Sequence, residues 1–262
     1  MKNFLPFQKK NDMNINFINK TALITGATRG IGKSIADCLF ESGADLILTG
    51  TKPGEVERLN RENQKKGIRN VRYIQADFSD SLSTKRFLKV LDGYESIDIC
   101  VNNAGVNKVD DFVHTTSDDF ERIHEINLKA PYQILKVIGP KMIARNYGRI
   151  VNIASIWSVI TRQGRSMYTS SKNALTGLTK TLAVEWARNN IMVNAVSPGF
   201  TLTELTKETN TQEQLKEIEK IIPANRMAEP IEIARVVAFL CSDLNTYVTG
   251  QNITVDGGYT NV

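Results

Sequence analysis

A chain of 262 residues is long enough to fold as a single α/β domain around a sizeable core. Its composition, 41% hydrophobic and 23% charged, includes no apolar run approaching the ~20 residues of a membrane helix, and its polar N-terminal stretch lacks the apolar centre of a secretory signal. The net charge of +5 comes from Lys and Arg scattered along the chain, without the stripe or reader module that nucleic-acid binding requires, so it predicts a solvated surface whose modest positive field favours anionic small molecules.

Residues 1–18 read as a flexible tail ahead of one domain spanning 19–262. Periodic structure begins with a short apolar run at 20–25 that ends at a glycine and reads as a buried strand. Ile31, Ile35 and Leu39 then recur on one face of a helix closed by Gly43. A strand at 46–48, a polar helix at 56–66, a strand at 71–75, a helix at 82–91 and a strand at 97–101 follow. A long helical stretch covers 117–144, with Pro131 and Pro140 expected to interrupt it. After a strand at 149–153, a helix at 168–188 carries Leu175, Leu178, Leu182 and Trp186 on one side, and a strand at 191–196 runs into Pro198-Gly199. The polar segment 201–223 holds one charged helix, 213–220, and reads as a substrate lid with Leu202, Leu205 and Ile218 on its underside. A helix at 231–241 and a strand at 252–255 complete the pattern. Seven apolar strands separated by helices predict right-handed crossovers and a doubly wound, mainly parallel seven-stranded sheet covered on both faces.

Cys38, Cys100 and Cys241 have no close pairing and suit small buried hydrophobes in a reducing cytoplasm. With only His114 and His124 and no Cys/His cluster, no metal site is expected.

The first strand-to-helix turn is Thr25-Gly26-Ala27-Thr28-Arg29-Gly30-Ile31-Gly32. Glycines there let the backbone turn tightly and approach a ligand, and the helix N-terminus behind them offers free N–H groups to a pyrophosphate. The spacing Gly-x-x-x-Gly-x-Gly therefore points to a dinucleotide. At the end of the second strand, where a carboxylate would hold an adenosine ribose, the chain has Thr49-Gly50-Thr51-Lys52. Lys52 and Arg29, with no anion in the turn, favour the extra phosphate of NADP(H) over NAD(H). Asp77, after the third strand, is either an acceptor for the adenine amino group or a turn residue.

Tyr168 and Lys172 stand one helical turn apart on the same face. An ammonium about 4 Å from a phenolate stabilises it by ~4 kcal/mol at an effective dielectric of ~20, enough to bring a phenol from ~10 toward neutrality, where acid/base transfer is most effective. Ser155, just after the strand at 149–153, is placed to donate to a carbonyl oxygen as negative charge develops.

The order of glycine loop, serine after a later strand and Tyr-x-x-x-Lys resembles the short-chain dehydrogenase/reductase family, classical type. The likeness runs from about Lys20 to Gly258. It includes Asn102-Asn103-Ala104-Gly105, Asn127 in the long helical stretch, Pro198-Gly199 with Thr201 and Thr203 beyond, and Val255-Asp256-Gly257-Gly258. The resemblance implies a single-domain Rossmann fold and an NAD(P)-dependent oxidoreductase. Tyr168 would be the acid in reduction and the base in oxidation. Lys172 would also hold the nicotinamide ribose, Ser155 would orient the substrate oxygen, and Asn127 would hold a water linking Lys172 to solvent. The cofactor would lie along Gly26, Thr28, Arg29, Gly30, Ile31 and Gly32, then Thr51, Lys52, Asp77 and Phe78, then Asn103, Ala104 and Gly105. Tyr168, Lys172, Pro198, Gly199, Thr201 and Thr203 would meet its nicotinamide half.

The C-terminal region around Ile222 to Ala234 resembles that of 3-oxoacyl-acyl-carrier-protein reductases. The segment between Ser155 and Tyr168, with Trp157, Arg162 and Arg165, is more similar to sugar or polyol dehydrogenases. A docked acyl carrier protein would need a basic patch at the mouth of the site, for which Arg145 and Arg188 are candidates. The remaining rival is a catalytically silent nucleotide-binding regulator, against which the complete Ser155, Tyr168 and Lys172 set argues. The family resemblance also implies a cytoplasmic homotetramer.

Overall fold

Short runs dominated by Ile, Leu, Val and Ala build seven strands in the computed structural model, which describes residues 14–262. They are β1 (Thr21–Ile24), β2 (Asp45–Gly50), β3 (Val71–Gln75), β4 (Ile99–Asn102), β5 (Gly148–Ile153), β6 (Ile191–Pro198) and β7 (Asn252–Val255). They form one sheet in the order β3-β2-β1-β4-β5-β6-β7, every pair parallel. Between them lie α1 (Gly30–Glu41), α2 (Pro53–Lys65), α3 (Ser81–Asp92), α4 (Ser117–His124), α5 (Ala130–Arg145), α6 (Ser166–Trp186), α7 (Glu204–Thr209), α8 (Gln212–Lys220) and α9 (Pro230–Cys241). This is the doubly wound Rossmann arrangement that the strand pattern predicts.

Helices on both faces explain why strands with no polar side can exist: every residue of β5 and β6 is buried. Ala22 and Ile24 of β1 face one cluster with Ile35, Leu39 and Val237 from α1 and α9. Leu23 faces the other, with Phe87, Ile134 and Ala183 from α3, α5 and α6. After β1 the chain builds outward through β2 and β3, then returns with β4 on the opposite side of β1. That reversal opens a crevice at the C-terminal strand ends, where doubly wound sheets bind ligands.

Three expectations change. Residues 1–13 of the expected tail lie outside the described residues, but Phe17 is only 1% exposed. Its ring joins Leu39 and Leu46 in the core, and its N–H donates to the Ser42 carbonyl at 2.7 Å. The folded domain therefore starts before residue 19. Neither proline breaks the long helical stretch. The break is a π-turn, Glu125–Lys129, between α4 and α5. Pro131 directly follows the π-turn at the start of α5, and α5 continues through Pro140. The short helix α7 was not anticipated.

Replacing a fully buried phenyl ring by a methyl group typically costs about 3–5 kcal/mol. Phe17→Ala should therefore lower the stability measured by urea unfolding by an amount in that range. An unchanged midpoint would return Phe17 to the tail.

Candidate active site

The chain leaves β1 at Thr25 and turns into α1 through a loop built around missing side chains. Gly26 and Gly30 take φ of +64° and +57°, values that other residues rarely adopt. A Cβ at Gly32 would lie 2.3 Å from both Asn103 Nδ2 and the Gly26 carbonyl oxygen. The loop is tied to the end of β4: Thr25 Oγ1 accepts from the N–H groups of Asn103 and Ala104 at 3.0 and 2.9 Å. Asn103 Nδ2 donates to the carbonyls of Thr25 and Gly26 at 2.9 and 3.0 Å. The Asn103 amide is thus committed to holding the loop, while Ala104 and Gly105 continue along the crevice. The Ile31 side chain packs against the core, leaving only its backbone toward the loop.

At the far end, Thr49 Oγ1 accepts from the Gly26 N–H at 2.9 Å. A Cβ at Gly50 would fall 2.6 Å from Thr28 Cγ2, so β2 and the glycine loop touch only because residue 50 is glycine. Beside this contact Arg29, Thr51 and Lys52 are exposed. Asp77 serves as a turn residue with one oxygen, Oδ1, which accepts from the Ser79 N–H at 2.9 Å and its hydroxyl at 2.6 Å. The Phe78 ring is buried edge-on against Phe87, 5.6 Å between centroids, so only its backbone can face a cofactor.

Ser155 follows β5 and caps the short turn Ile156–Ser158. Tyr168 and Lys172 occupy the first turns of α6, and the Ser155 hydroxyl is near enough to the Tyr168 phenol to favour its charged form. Lys172 is buried; its Nζ donates to the Ile153 carbonyl at 2.7 Å and lies 5.6 Å from the centre of the Tyr168 ring. Asn127 lies in the π-turn, fully buried. Its Oδ1 accepts from the Val106 N–H at 2.9 Å, and its Nδ2 donates to the Val106 carbonyl at 2.9 Å and to Ser171 Oγ at 3.0 Å. A Cβ on Gly105 would stand 3.3 Å from Lys172 Nζ and 3.4 Å from Asn127 Oδ1. Tyr168 and Lys172, paired by spacing, Ser155 after β5, and Asn127, implied by the family resemblance, therefore lie together at the crevice.

The electrostatics differ from the expected ones. Burial pushes Lys172 down to about 8. Burial also raises the Tyr168 phenol above its ordinary value, opposed by the Ser155 hydrogen bond and by the Arg165 guanidinium. Lys172 directs its N–H to a backbone carbonyl, and the cation acting on the phenol is Arg165, at the N-cap of α6.

Gly199 passes so close to the C-terminal segment that a Cβ would lie 2.7 Å from Asp256 Cα. Pro198, just before it, ends β6 buried. Thr201 Oγ1 donates to the Gly199 carbonyl at 3.1 Å, and Thr203 caps α7 by accepting from the Thr206 N–H at 3.2 Å. Next to that cap, Glu204 accepts from the Gly30 N–H at 3.2 Å, setting a lid carboxylate at the N-terminus of α1. Leu202 and Ile218 pack with Leu215, Ile222 and Met227 beneath the lid; the Leu205 side chain lies outside the described residues. Trp157, Phe200 and Tyr259 meet edge to face, 5.2 to 6.5 Å between centroids. Phe200 and Tyr259 were missed, although each directly follows a glycine of a recognised motif; Glu204 had no signal. Arg145 pairs with Asp98 and Arg188 precedes β6, both at the opposite end of the sheet, so they form no patch at the mouth.

The residues fit a dinucleotide: side-chain-free turns, a helix N-terminus with an N–H that already attracts a carboxylate, and two exposed cations at the adenosine end. Among the described residues no group of His, Cys, Asp and Glu could hold a metal, and no helix is long and apolar enough to cross a membrane. A family profile described as enoyl-(acyl carrier protein) reductase matches residues 26–260. The oxidoreductase UcpA of Escherichia coli is 40% identical over 250 residues, 92% of this chain and 94% of that protein. The 3-oxoacyl-(acyl-carrier-protein) reductase FabG of Aquifex aeolicus is 37% identical over 94% of this chain and 99% of its own length. A gluconate 5-dehydrogenase from Burkholderia cenocepacia, solved in complex with NADP and tartrate, superposes with a TM-score of 0.86 at 29% identity, covering 95% of this chain and 98% of that one.

Burial holds Lys172 at about 8 in the folded chain against its ordinary 10.5. Between these values the unfolded chain binds more protons, so stability should rise with pH across that window, by roughly 3 kcal/mol in all. Urea unfolding of the protein and of Lys172→Met from pH 7 to 10.5 checks this. The rise should be missing in the variant, and equal slopes would refute it.

Proposed function

The chain belongs to the short-chain dehydrogenase/reductase family, and we propose that it is an NADP(H)-dependent oxidoreductase that moves a hydride between the nicotinamide and a carbonyl or secondary alcohol. One observation carries this function: Ser155, Tyr168 and the buried Lys172 come together at the crevice, where the Ser155 hydroxyl favours the Tyr168 phenolate and Lys172 is held by the Ile153 carbonyl, two residues before Ser155.

When bound, the nicotinamide supplies or accepts the hydride. The protein's own share is the proton. Ser155 donates to the substrate oxygen as it gains charge, and Tyr168 hands over its proton at the same atom. A phenol held above its ordinary value is protonated at neutral pH, which suits it as the acid in reduction; in oxidation it takes the proton back. Lys172, at about 8, is close enough to neutrality to exchange a proton with the phenol side of the site. Both Nδ2 hydrogens of Asn127 are committed, but its Oδ1 keeps a second lone pair to hold a water toward Lys172.

Arg29 and Lys52 support NADP(H), with NAD(H) as the alternative. The segment carrying Trp157, Arg162 and Arg165 supports a small polar carbonyl or alcohol; without a basic patch from Arg145 and Arg188, a docked acyl carrier protein is the second choice. Exposed Phe120, Tyr132 and Val184 on α4, α5 and α6 support a homotetramer.

Purified protein with NADPH and a panel of carbonyl compounds tests the assignment. Tyr168→Phe should lose about 10²–10⁴-fold in turnover while NADPH binding, followed by fluorescence, persists. Cofactor binding with no turnover of any compound would favour the silent regulator. Lys52→Glu should reduce the preference for NADPH over NADH by about tenfold or more, the scale of one lost charge-assisted contact; an unchanged ratio would remove Lys52 from cofactor choice.

A further inference from the structure

We propose that Arg165, assisted by Arg162, recognises a carboxylate on the substrate, making the site selective for small hydroxy acids and keto acids over neutral compounds of the same size. The proposal rests on the oxidoreductase function above and names its substrate class.

The two guanidinium carbons lie 5.2 and 5.3 Å from the centre of the Trp157 ring. The indole face attracts each cation, but it brings two like charges together with no carboxylate between them. Arg162 accordingly disfavours the charged form of Arg165, and burial does so more strongly. Arg165 Nε is buried without a hydrogen-bond partner. A buried N–H of a permanent cation is costly to leave unpaired, and a ligand carboxylate, matching the planar fork of the guanidinium, would pair it.

The nearby acids are committed elsewhere. Asp111 accepts from Gln163 Nε2 at 2.8 Å. Asp110 lies 3.7 Å from Lys108 Nζ and 4.0 Å from the His114 ring.

Position supplies the chemistry. Arg165 is the N-cap of α6, three residues before Tyr168, and its charge already acts on the phenol. Trp157 lies two residues beyond Ser155. An anion on Arg165 would therefore stand a few bonds from the carbon that exchanges hydride, with Trp157 beside the intervening chain.

The test uses the full-length protein with NADPH and three- to six-carbon keto acids, each paired with its own primary amide. The readout is the ratio of kcat/KM for acid over amide, which cancels any change in the acid/base tyrosine. The protein should prefer acids at least tenfold. Arg165→Gln should bring the ratio to about one, Arg165→Lys should restore part of it, and Arg162→Gln should lower it several-fold. Arg162→Gln decides the matter if the first variant fails to fold. Turnover of amides with no preference for acids, or a ratio unmoved in the variants, overturns the proposal and leaves the oxidoreductase standing. No turnover of either partner while other carbonyl compounds of the panel are reduced overturns the proposal alone; no turnover of any compound overturns the oxidoreductase. Quenching of Trp157 fluorescence by malonate, lost in Arg165→Gln, would then still support the anion site, and absence of quenching would sink it.

Discussion

The tie between the ends of β1 and β4 sets the position of everything that follows. Where the sheet reverses direction, two strand ends diverge and leave backbone polar groups facing an open crevice. Thr25 and Asn103 satisfy these groups reciprocally, one through a hydroxyl that accepts two N–H groups, the other through an amide that donates to two carbonyls. The exchange is only sterically feasible because residue 32 has no side chain. On one side of this knot hang β2, β3 and the adenosine end; on the other, β4 leads within three residues to Gly105, beside Lys172 and Asn127. A polar seam continues the registration inward, from Asn102 to Asn152 of β5 and on to Thr179 of α6. The helix that carries the phenol is thereby referenced to the same strands as the glycine loop.

Much of this was legible in the sequence, for identifiable reasons. Strands buried on both faces read as uninterrupted apolar runs, and a Tyr and Lys four residues apart must share a helical face. Other features left no such trace. Phe17 stands in a polar stretch without period, so its burial depends on the turn between α1 and β2 that covers it. The prolines drew attention away from a π-turn that no hydrophobic period announces. Spacing placed Lys172 near Tyr168 but said nothing of where the ammonium would point, and the Ile153 carbonyl took it. The motifs drew attention to Asn103, Asp77 and Phe78, yet their side chains serve the loop, a turn and the core. A helix of the length of α7 is too short to declare itself by periodicity.

Dryness governs the chemistry of the centre. The same burial that lifts the phenol lowers the ammonium, because both charged forms lose water. The two groups are driven toward their uncharged forms together: the phenol keeps its proton more firmly, while the ammonium gives one up more readily. A charge arriving from outside, whether on the cofactor or on a substrate, acts in a poorly screened space and is felt strongly by both.

The π-turn has a consequence for how this fold tolerates changes in length. It accommodates one residue beyond what a continuous α-helix would hold, and each residue of such a helix advances about 100° around its axis. Removing a residue between Glu125 and Lys129 would swing Ile134, Leu135 and Ile138 away from the sheet unless the segment wound into regular α-helix, and in that regular form the buried amide of Asn127 would lose its aim at Val106. Sequence drift in this stretch is therefore confined to substitutions, with the residue count held constant by the opposed demands of a core stripe and a single asparagine.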